Sequence, residues 1–260
     1  MLAVRCPLRR HCYSLGMEIP QLVAHRGYTL HYPENTLAAV AAAIKAGARF
    51  VEVDIQLSAD QVPVLFHDRD LQRICGVSGA IHDYPLAQLK RFKAMEFDRF
   101  GYRFAAERIA TLEELAQLLA RHPAVTAFIE LKRVSLARFG AATMLNHVKR
   151  ALASVHARCV IISFDIEALA VARPHWPAVG AVIDTWRERR QPSIESLHPQ
   201  YLFCDVDGLP RWGRLKFGDA RLVIYEVADP ARALELARRG VEFVETFAIG
   251  EMREALGDAC

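Results

Sequence analysis

From Gln21 to the C-terminus, short β-branched and aromatic runs alternate with stretches whose apolar residues recur every three or four positions. Runs of the first kind are QLVAHRG (21–27), FVEVDIQL (50–57), AVTAFIELK (124–132), CVIISF (159–164), AVGAVID (178–184), YLFCDV (201–206), RLVIYEV (221–227) and VEFVETF (241–247), and each reads as a strand. Helical patterns lie between them near 36–46, 111–121, 136–156, 165–173, 188–197 and 230–239, with another after Gly250. Several carry start signals: Asn35 or Thr36, Thr111 with Glu114 three residues on, and Asp229 followed by Pro230. Gly47 and Gly240 stand where helices end. Strands that alternate with helices predict a parallel sheet, and eight such units in about 250 residues predict an α/β (β/α)8 TIM barrel, with a doubly wound open sheet as the alternative.

One stretch breaks the rhythm. VPVLFHD (62–68) predicts a strand that returns on the second one through a hairpin around residues 58–61. Residues 69–108 are irregular, mixed in polarity and longer than an ordinary connection, so they form a small insertion over one barrel end. Two readings stand for it: a substrate lid or specificity loop, or a structural plug. The first sixteen residues, MLAVRCPLRRHCYSLG, read as a loose extension ahead of Met17 or as a short basic targeting peptide, and 17–260 as a single domain. They lack the apolar run of about 7 to 15 residues of a secretory signal.

Composition narrows the function classes. At 52% apolar and 24% charged the 260 residues suit one ordinary globular core. Lys and Arg number 33 against 30 acids, and the +3 balance is spread along the chain, which argues against a nucleic-acid partner. The longest apolar run, Leu37 to Ile44, is far short of the roughly 18 to 20 residues of a transmembrane helix. Six cysteines form no CxxC pair, which points to a reduced, cytoplasmic setting, with Cys159 and Cys204 as small buried hydrophobes.

Candidate chemistry concentrates on the second strand. Side chains alternate across a strand, so Val51, Val53, Ile55 and Leu57 share one face while Glu52, Asp54 and Gln56 share the other. Helix-covered strands are normally apolar throughout, so the polar face needs a reason. In a barrel it lines the axis, and two carboxylates about 7 Å apart along the strand can reach one hard cation. The third strand repeats the arrangement with Glu130 and Lys132. An all-oxygen set favours Mg2+, Ca2+ or Mn2+ over Zn2+. For any one of these acids the alternative is an ion pair with Lys132 or Arg26, but three together are costly to bury without a cation. His25 and His67 end the first and the returning strand, where a barrel places catalytic groups, and suit proton transfer near neutral pH.

The segment HRGYTLHYPENTLAAVAAAIKAGARFVEVDIQLSADQVPVLFHDRDLQR, with its His-Arg-Gly, Pro-Glu-Asn-Thr, E-x-D and His-Asp motifs in that order, resembles the amino-terminal signature of the glycerophosphodiester phosphodiesterase family. The likeness continues through ERIATLEEL (107–115), FIELK (128–132), SFD (163–165) and DPARALELARRGVEFVET (229–246). The resemblance implies a TIM-barrel hydrolase that splits glycerophosphodiesters into glycerol 3-phosphate and an alcohol. It also implies His25 and His67 as the acid/base pair, Glu52, Asp54 and Glu130 as ligands of one divalent cation, and Arg26 and Lys132 as phosphate-binding cations. Pro33, Glu34, Asn35 and Thr36 then read as loop-to-helix structure. Where the family usually reads Trp-Thr-Val-Asn this chain has Tyr225, Glu226, Val227 and Ala228, and Phe247 replaces an Asp. Tyr225 keeps an aromatic wall in the substrate pocket, while Glu226 and Phe247 change its polarity. A non-catalytic phosphate-binding barrel and a phosphodiesterase acting on lysophospholipids are the competing functions.

Overall fold

The computed structural model describes residues 19–257. The extension 1–16, Met17, Cys6, Cys12 and Cys260 lie outside the described residues. Nine strands form one sheet: β1 (Gln21–Ala24), β2 (Phe50–Leu57), β3 (Pro63–Leu65), β4 (Thr126–Leu131), β5 (Cys159–Ser163), β6 (Val179–Ile183), β7 (Tyr201–Asp205), β8 (Arg221–Tyr225) and β9 (Phe243–Thr246). Eight run parallel in the order β1-β9-β8-β7-β6-β5-β4-β2, and β1 also pairs with β2, so the sheet closes on itself. Closure decides between the barrel and the open sheet in favour of the barrel. β3 is the extra strand, antiparallel to β2 with Leu65 opposite Ile55.

Eight helices matter for the frame: α1 (Leu37–Lys45), α2 (Leu112–Ala120), α3 (Arg133–Phe139), α4 (Ala141–Ala151), α5 (Ile166–Ala172), α6 (Pro192–Leu197), α7 (Pro230–Arg238) and α8 (Ile249–Leu256). The expected caps form. The Thr36 hydroxyl accepts from the Ala39 amide, Thr111 and Glu114 make a reciprocal box, and the Asp229 carboxylate accepts from the Ala231 amide. The continuous helix expected over 136–156 is two helices, α3 and α4, parted at Gly140, whose φ of 80° interrupts the helical path. The pattern at 188–197 likewise resolves into a short 3-10 turn and α6.

Strand alternation sorts the core into two shells. Val51, Val53, Ile55, Leu57, Ile129 and Leu131 face outward and pack with the helices in the larger cluster. Val23, Phe128, Phe203, Val223 and Phe243 face inward and fill the barrel, with Phe50 and Tyr201 packed against them. Residues 69–108 build a satellite core of their own around Leu71, Ile74, Ile81 and Leu89, joined by Val64 and Phe66 from the returning strand.

Candidate functional site

The site is built at the C-terminal ends of β1, β2, β3 and β4. After Ala24 the chain leaves the barrel through a tight turn in which Arg26 and Gly27 both take positive φ, 54° and 92°. Gly27 meets α1 so closely that a Cβ there would lie 2.6 Å from the Ala39 carbonyl carbon, so only glycine fits. That turn delivers the Arg26 amide, which donates to Glu52 Oε2 at 3.1 Å. His25 is buried, with Nε2 3.9 Å from Glu52 Oε2 and its ring 6.0 Å from that of Phe247. Burial, and then the Arg26 charge, pull its pKa well below the usual value, which keeps the imidazole neutral.

Asp54 is the best-held acid. Its Oδ2 accepts from Asn35 Nδ2 at 2.8 Å, its amide donates to Asn35 Oδ1 at 3.0 Å, and Arg26 Nε and Lys132 Nζ each lie 3.1 Å from a carboxylate oxygen. The Arg26 Nε contact is an ion pair without hydrogen-bond alignment, since that atom is buried with no such partner. Burial pushes the Asp54 carboxyl upward, but Arg26 and Lys132 outweigh it and hold the group ionised far below the ordinary range. Glu52 is the opposite case. Burial, then repulsion from Asp54, Glu245 and Glu130, raises it well above the usual value, and its Oε1 is buried without a hydrogen bond. Glu130 is raised by burial and by Asp54, although Lys132 Nζ donates to its Oε1 at 2.8 Å.

Glu52, Asp54 and Glu130 each offer an oxygen within 4.8 Å of the others. A hard divalent cation fits this set: the donors are all oxygens, one is buried with nothing to satisfy it, and crowding of like charge lifts two of the three acids. A second set of possible ligands, two carboxylates and an imidazole from Glu34, Asp68 and His67, also gathers within 4.8 Å. It already has its cation, because Arg73 Nη2 lies 2.8 Å from Glu34 Oε1 and Arg73 Nε 2.7 Å from Asp68 Oδ2.

His67 follows β3 and is fixed from two sides. Gln56, the third polar residue on the inner face of β2, donates through Nε2 to the carbonyls of Phe66, His67 and Asp68 at 3.1, 3.2 and 2.6 Å. His67 Nδ1 lies 2.8 Å from Asp68 Oδ1. Burial raises Asp68, but its hydrogen bonds to His67 and Arg73 outweigh that and hold it well below the usual carboxylate range, so Nδ1 carries the proton it donates and Nε2 is left free.

Of the eight residues singled out from sequence, seven line one cavity of about 230 Å³: His25, Arg26, Glu52, His67, Glu130, Lys132 and Tyr225. Asp54 sits behind them. No described residue of 69–108 lines it, so the insertion acts as a buttress: Glu96 accepts from the Glu34 amide at 3.2 Å, and Arg73 ties Asp68 to Glu34, which in turn accepts from Arg26 Nη1 at 3.1 Å. Sequence reasoning treated Glu34 and Asn35 as loop structure only and passed over Arg73, Glu96 and Glu245. The last was readable, because Glu245 follows Phe243 by two residues on one strand and therefore shares its inward face.

Comparison with known proteins agrees with this geometry. The family model for glycerophosphoryl diester phosphodiesterases matches residues 25–209, well over half the chain. A glycerophosphodiester phosphodiesterase of Bacillus altitudinis is 30% identical over 176 residues, 67% of this chain and 70% of that protein. Glycerophosphodiester phosphodiesterase 1 of Mus musculus is 40% identical over 110 residues, 42% of this chain and 33% of that protein. Against several curated relatives the matched stretch spans only 33% to 44% of their length. Among solved structures, an Oleispira antarctica phosphodiesterase in complex with the product sn-glycerol-3-phosphate superposes with a TM-score of 0.77 at 26% identity, covering 94% of this chain and 98% of that one. The chain therefore belongs to the glycerophosphoryl diester phosphodiesterase family.

Proposed function

We propose that this barrel hydrolyses glycerophosphodiesters to glycerol 3-phosphate and an alcohol, with one divalent cation, Mg2+ or Ca2+, held by Glu52, Asp54 and Glu130. The observation that carries the reading is that two histidines, two fixed cations and an acidic trio open onto a single cavity. Bound there, the cation neutralises the phosphodiester and stabilises charge developing on its oxygens. Arg26 and Lys132 add to that neutralisation and orient the phosphate. His25, neutral and desolvated, accepts a proton from the glycerol hydroxyl that attacks phosphorus. His67, entering the step as the imidazolium with Nδ1–H held by Asp68, gives its Nε2 proton to the leaving alcohol oxygen; water then opens the cyclic phosphate, giving a proton to His67 Nε2 while His25 returns its proton to the glycerol oxygen. Tyr225 closes the cavity wall, with its hydroxyl donating to the Ile183 carbonyl at 2.9 Å.

A single domain over 17–260 carries this activity. No described helix is long and apolar enough to cross a membrane, and the free thiols Cys75, Cys159 and Cys204 suit a reduced, cytoplasmic setting. Purified protein with Mg2+ or Ca2+ is expected to release glycerol 3-phosphate from glycerophosphodiesters and to stop when EDTA removes the cation. Turnover that survives both EDTA and His25→Ala overturns the reading.

A further inference from the structure

Residues 95–106 leave the insertion as a closed loop. Its base is the bridge between Lys93 and Arg108, where the Ala94 amide donates to the Glu107 carbonyl at 3.1 Å. Glu96 anchors the loop beside that base: it is 2% exposed and held in the left-handed region at a φ of 46°, with Arg73 Nη1 3.2 Å and Arg99 Nη1 3.0 Å from its carboxylate oxygens. From this anchor the sequence FDRFGYRF (97–104) places four rings in eight residues, and none of the four is buried in an apolar core. Phe104 lies 5.2 Å from Phe100 and 5.4 Å from Tyr32, whereas Phe97 and Tyr102, 48% and 72% exposed, make their ring contact with each other at 5.1 Å. Two large rings are therefore presented to solvent from a fixed base.

The loop is also cationic. Between 90 and 104, Glu114 takes up Lys90 and Glu96 takes up Arg99. That leaves the exposed Arg91, Lys93 and Arg103 against the exposed acid Asp98, with no ion pair for any of these among the described residues. The Arg103 guanidinium lies over the Phe104 ring, 5.0 Å from its centroid, so charge and ring face are interleaved. The loop stands at the mouth end of the barrel: Arg99 Nη2 donates to the Thr29 carbonyl, the Thr29 hydroxyl donates to the His25 carbonyl at 3.4 Å, and Leu30, 43% exposed, donates its amide to the Phe247 carbonyl at 3.0 Å. The two exposed rings offer about 300–500 Å² of surface, short of the about 800 Å² that each side of a stable protein pair buries. A lipid surface asks less, since a small apolar wedge suffices when cations beside it meet the lipid phosphates.

We propose that the 95–106 loop is a membrane-docking finger: Phe97 and Tyr102 sink to the headgroup level of an anionic bilayer, Arg91, Lys93 and Arg103 meet its phosphates, and the barrel mouth is thereby held at the lipid surface. The finger lies outside the cavity, so the inference stands independently of the diesterase reading. Trp212 is the natural rival, 76% exposed with the Arg211 guanidinium 5.2 Å from its ring centroid. It sits toward the opposite end of the barrel, because the neighbouring carbonyls of Pro210 and Gly213 accept from Arg239, at the end of α7 that leads into β9.

The test is co-sedimentation of the full chain with vesicles of phosphatidylcholine and phosphatidylglycerol, three parts to one, read as a partition coefficient. The parent is expected to bind these vesicles, and to bind pure phosphatidylcholine vesicles, or the mixed ones in high salt, several-fold more weakly. Phe97→Ser and Tyr102→Ser should each lower the partition about ten-fold, the worth of one buried ring. Arg103→Gln should lower it about five-fold, and Trp212→Ser should leave it unchanged. Tyr102→Trp should raise it, and that gain decides the matter if a serine variant melts below the parent. Hydrolysis of glycerophosphocholine, followed without vesicles, should be the same in these variants as in the parent, so a dead enzyme bears on the diesterase reading and not on the finger. Absence of binding by the parent overturns the proposal. So does binding that survives Phe97→Ser combined with Tyr102→Ser, which would assign it to Arg5, Arg9 and Arg10, or binding lost with Trp212→Ser instead. Self-association of the parent that Phe97→Ser abolishes, without vesicle binding, would make the finger a contact between copies and overturn it equally.

Discussion

The barrel interior has two floors built from the same strands. The lower is Val23, Phe50, Phe128, Val182, Phe203 and Phe243; two residues further along each strand, the upper is His25, Glu52, Glu130, Asp184, Asp205 and Glu245. Successive inward residues are only about 7 Å apart, yet the lower floor is an aromatic plug and the upper floor a set of titratable groups. Phe128 sits at the plug's centre, with ring centroids 5.1 Å from Tyr201 and Phe203 and 6.1 Å from Phe50. The difference teaches how one closed sheet separates holding from reacting. Apolar packing below holds the strand ends together, and buried charge above is offset where cations reach it, as Arg26 and Lys132 do for Asp54 and Lys132 does for Glu130.

The sharpest way to break the comparison is on the upper floor. His25→Ala is expected to cut kcat by about a hundred- to ten-thousand-fold, the usual worth of a positioned proton carrier, with the melting temperature little changed. A variant that loses activity only in proportion to lost folded protein would show that the upper floor is structural. The lower floor gives the converse: Phe128→Ala should cost about 3–5 kcal/mol of stability through the cavity it leaves, measured by urea unfolding, while turnover per folded molecule at low temperature stays close to the parent. Loss of turnover with unchanged stability would erase the distinction.

The smallest effect sharpens it most. Burial, then Glu130, raises the Glu245 carboxyl well above its ordinary value in the folded protein. An acid that protonates more easily folded than unfolded makes the folded state lose stability as pH rises from the ordinary glutamate range through the raised folded value. Glu245→Gln cannot ionise, so in EDTA it should melt higher than the parent at pH 8, by a margin that shrinks as the pH falls toward 4. A lower melting temperature for the variant at pH 8 would mean that Glu245 is satisfied in the folded state.

The lower floor and the barrel were legible because they follow from periodicity. Alternation in FVEVDIQL fixed which of its residues face helices and which face the axis, and eight such runs left closure as the natural outcome. The acidic trio and both histidines were legible for the same reason. Asn35 was not, because a helix-entry asparagine looks the same whether it caps a helix or, as here, clasps Asp54 through both its amide atoms. Arg73 and Glu96 were hidden by distance: they lie in an irregular segment with no period to read, and meet Glu34 only after the insertion folds on its own small core. The break at Gly140 was hidden because the apolar spacing runs on through it.

Arg73 carries a consequence for redesign of the region it anchors. Its guanidinium touches Asp68, the partner of His67, and Glu34, the partner of Arg26. One side chain from the excursion is thus mortared between the two walls that carry His67, the proposed proton carrier, and Arg26, the proposed anion clamp. Grafting a foreign segment in place of 69–108 would therefore not behave as a cosmetic exchange of a peripheral flap; unless the newcomer brings a guanidinium to the same spot, both walls would slacken together.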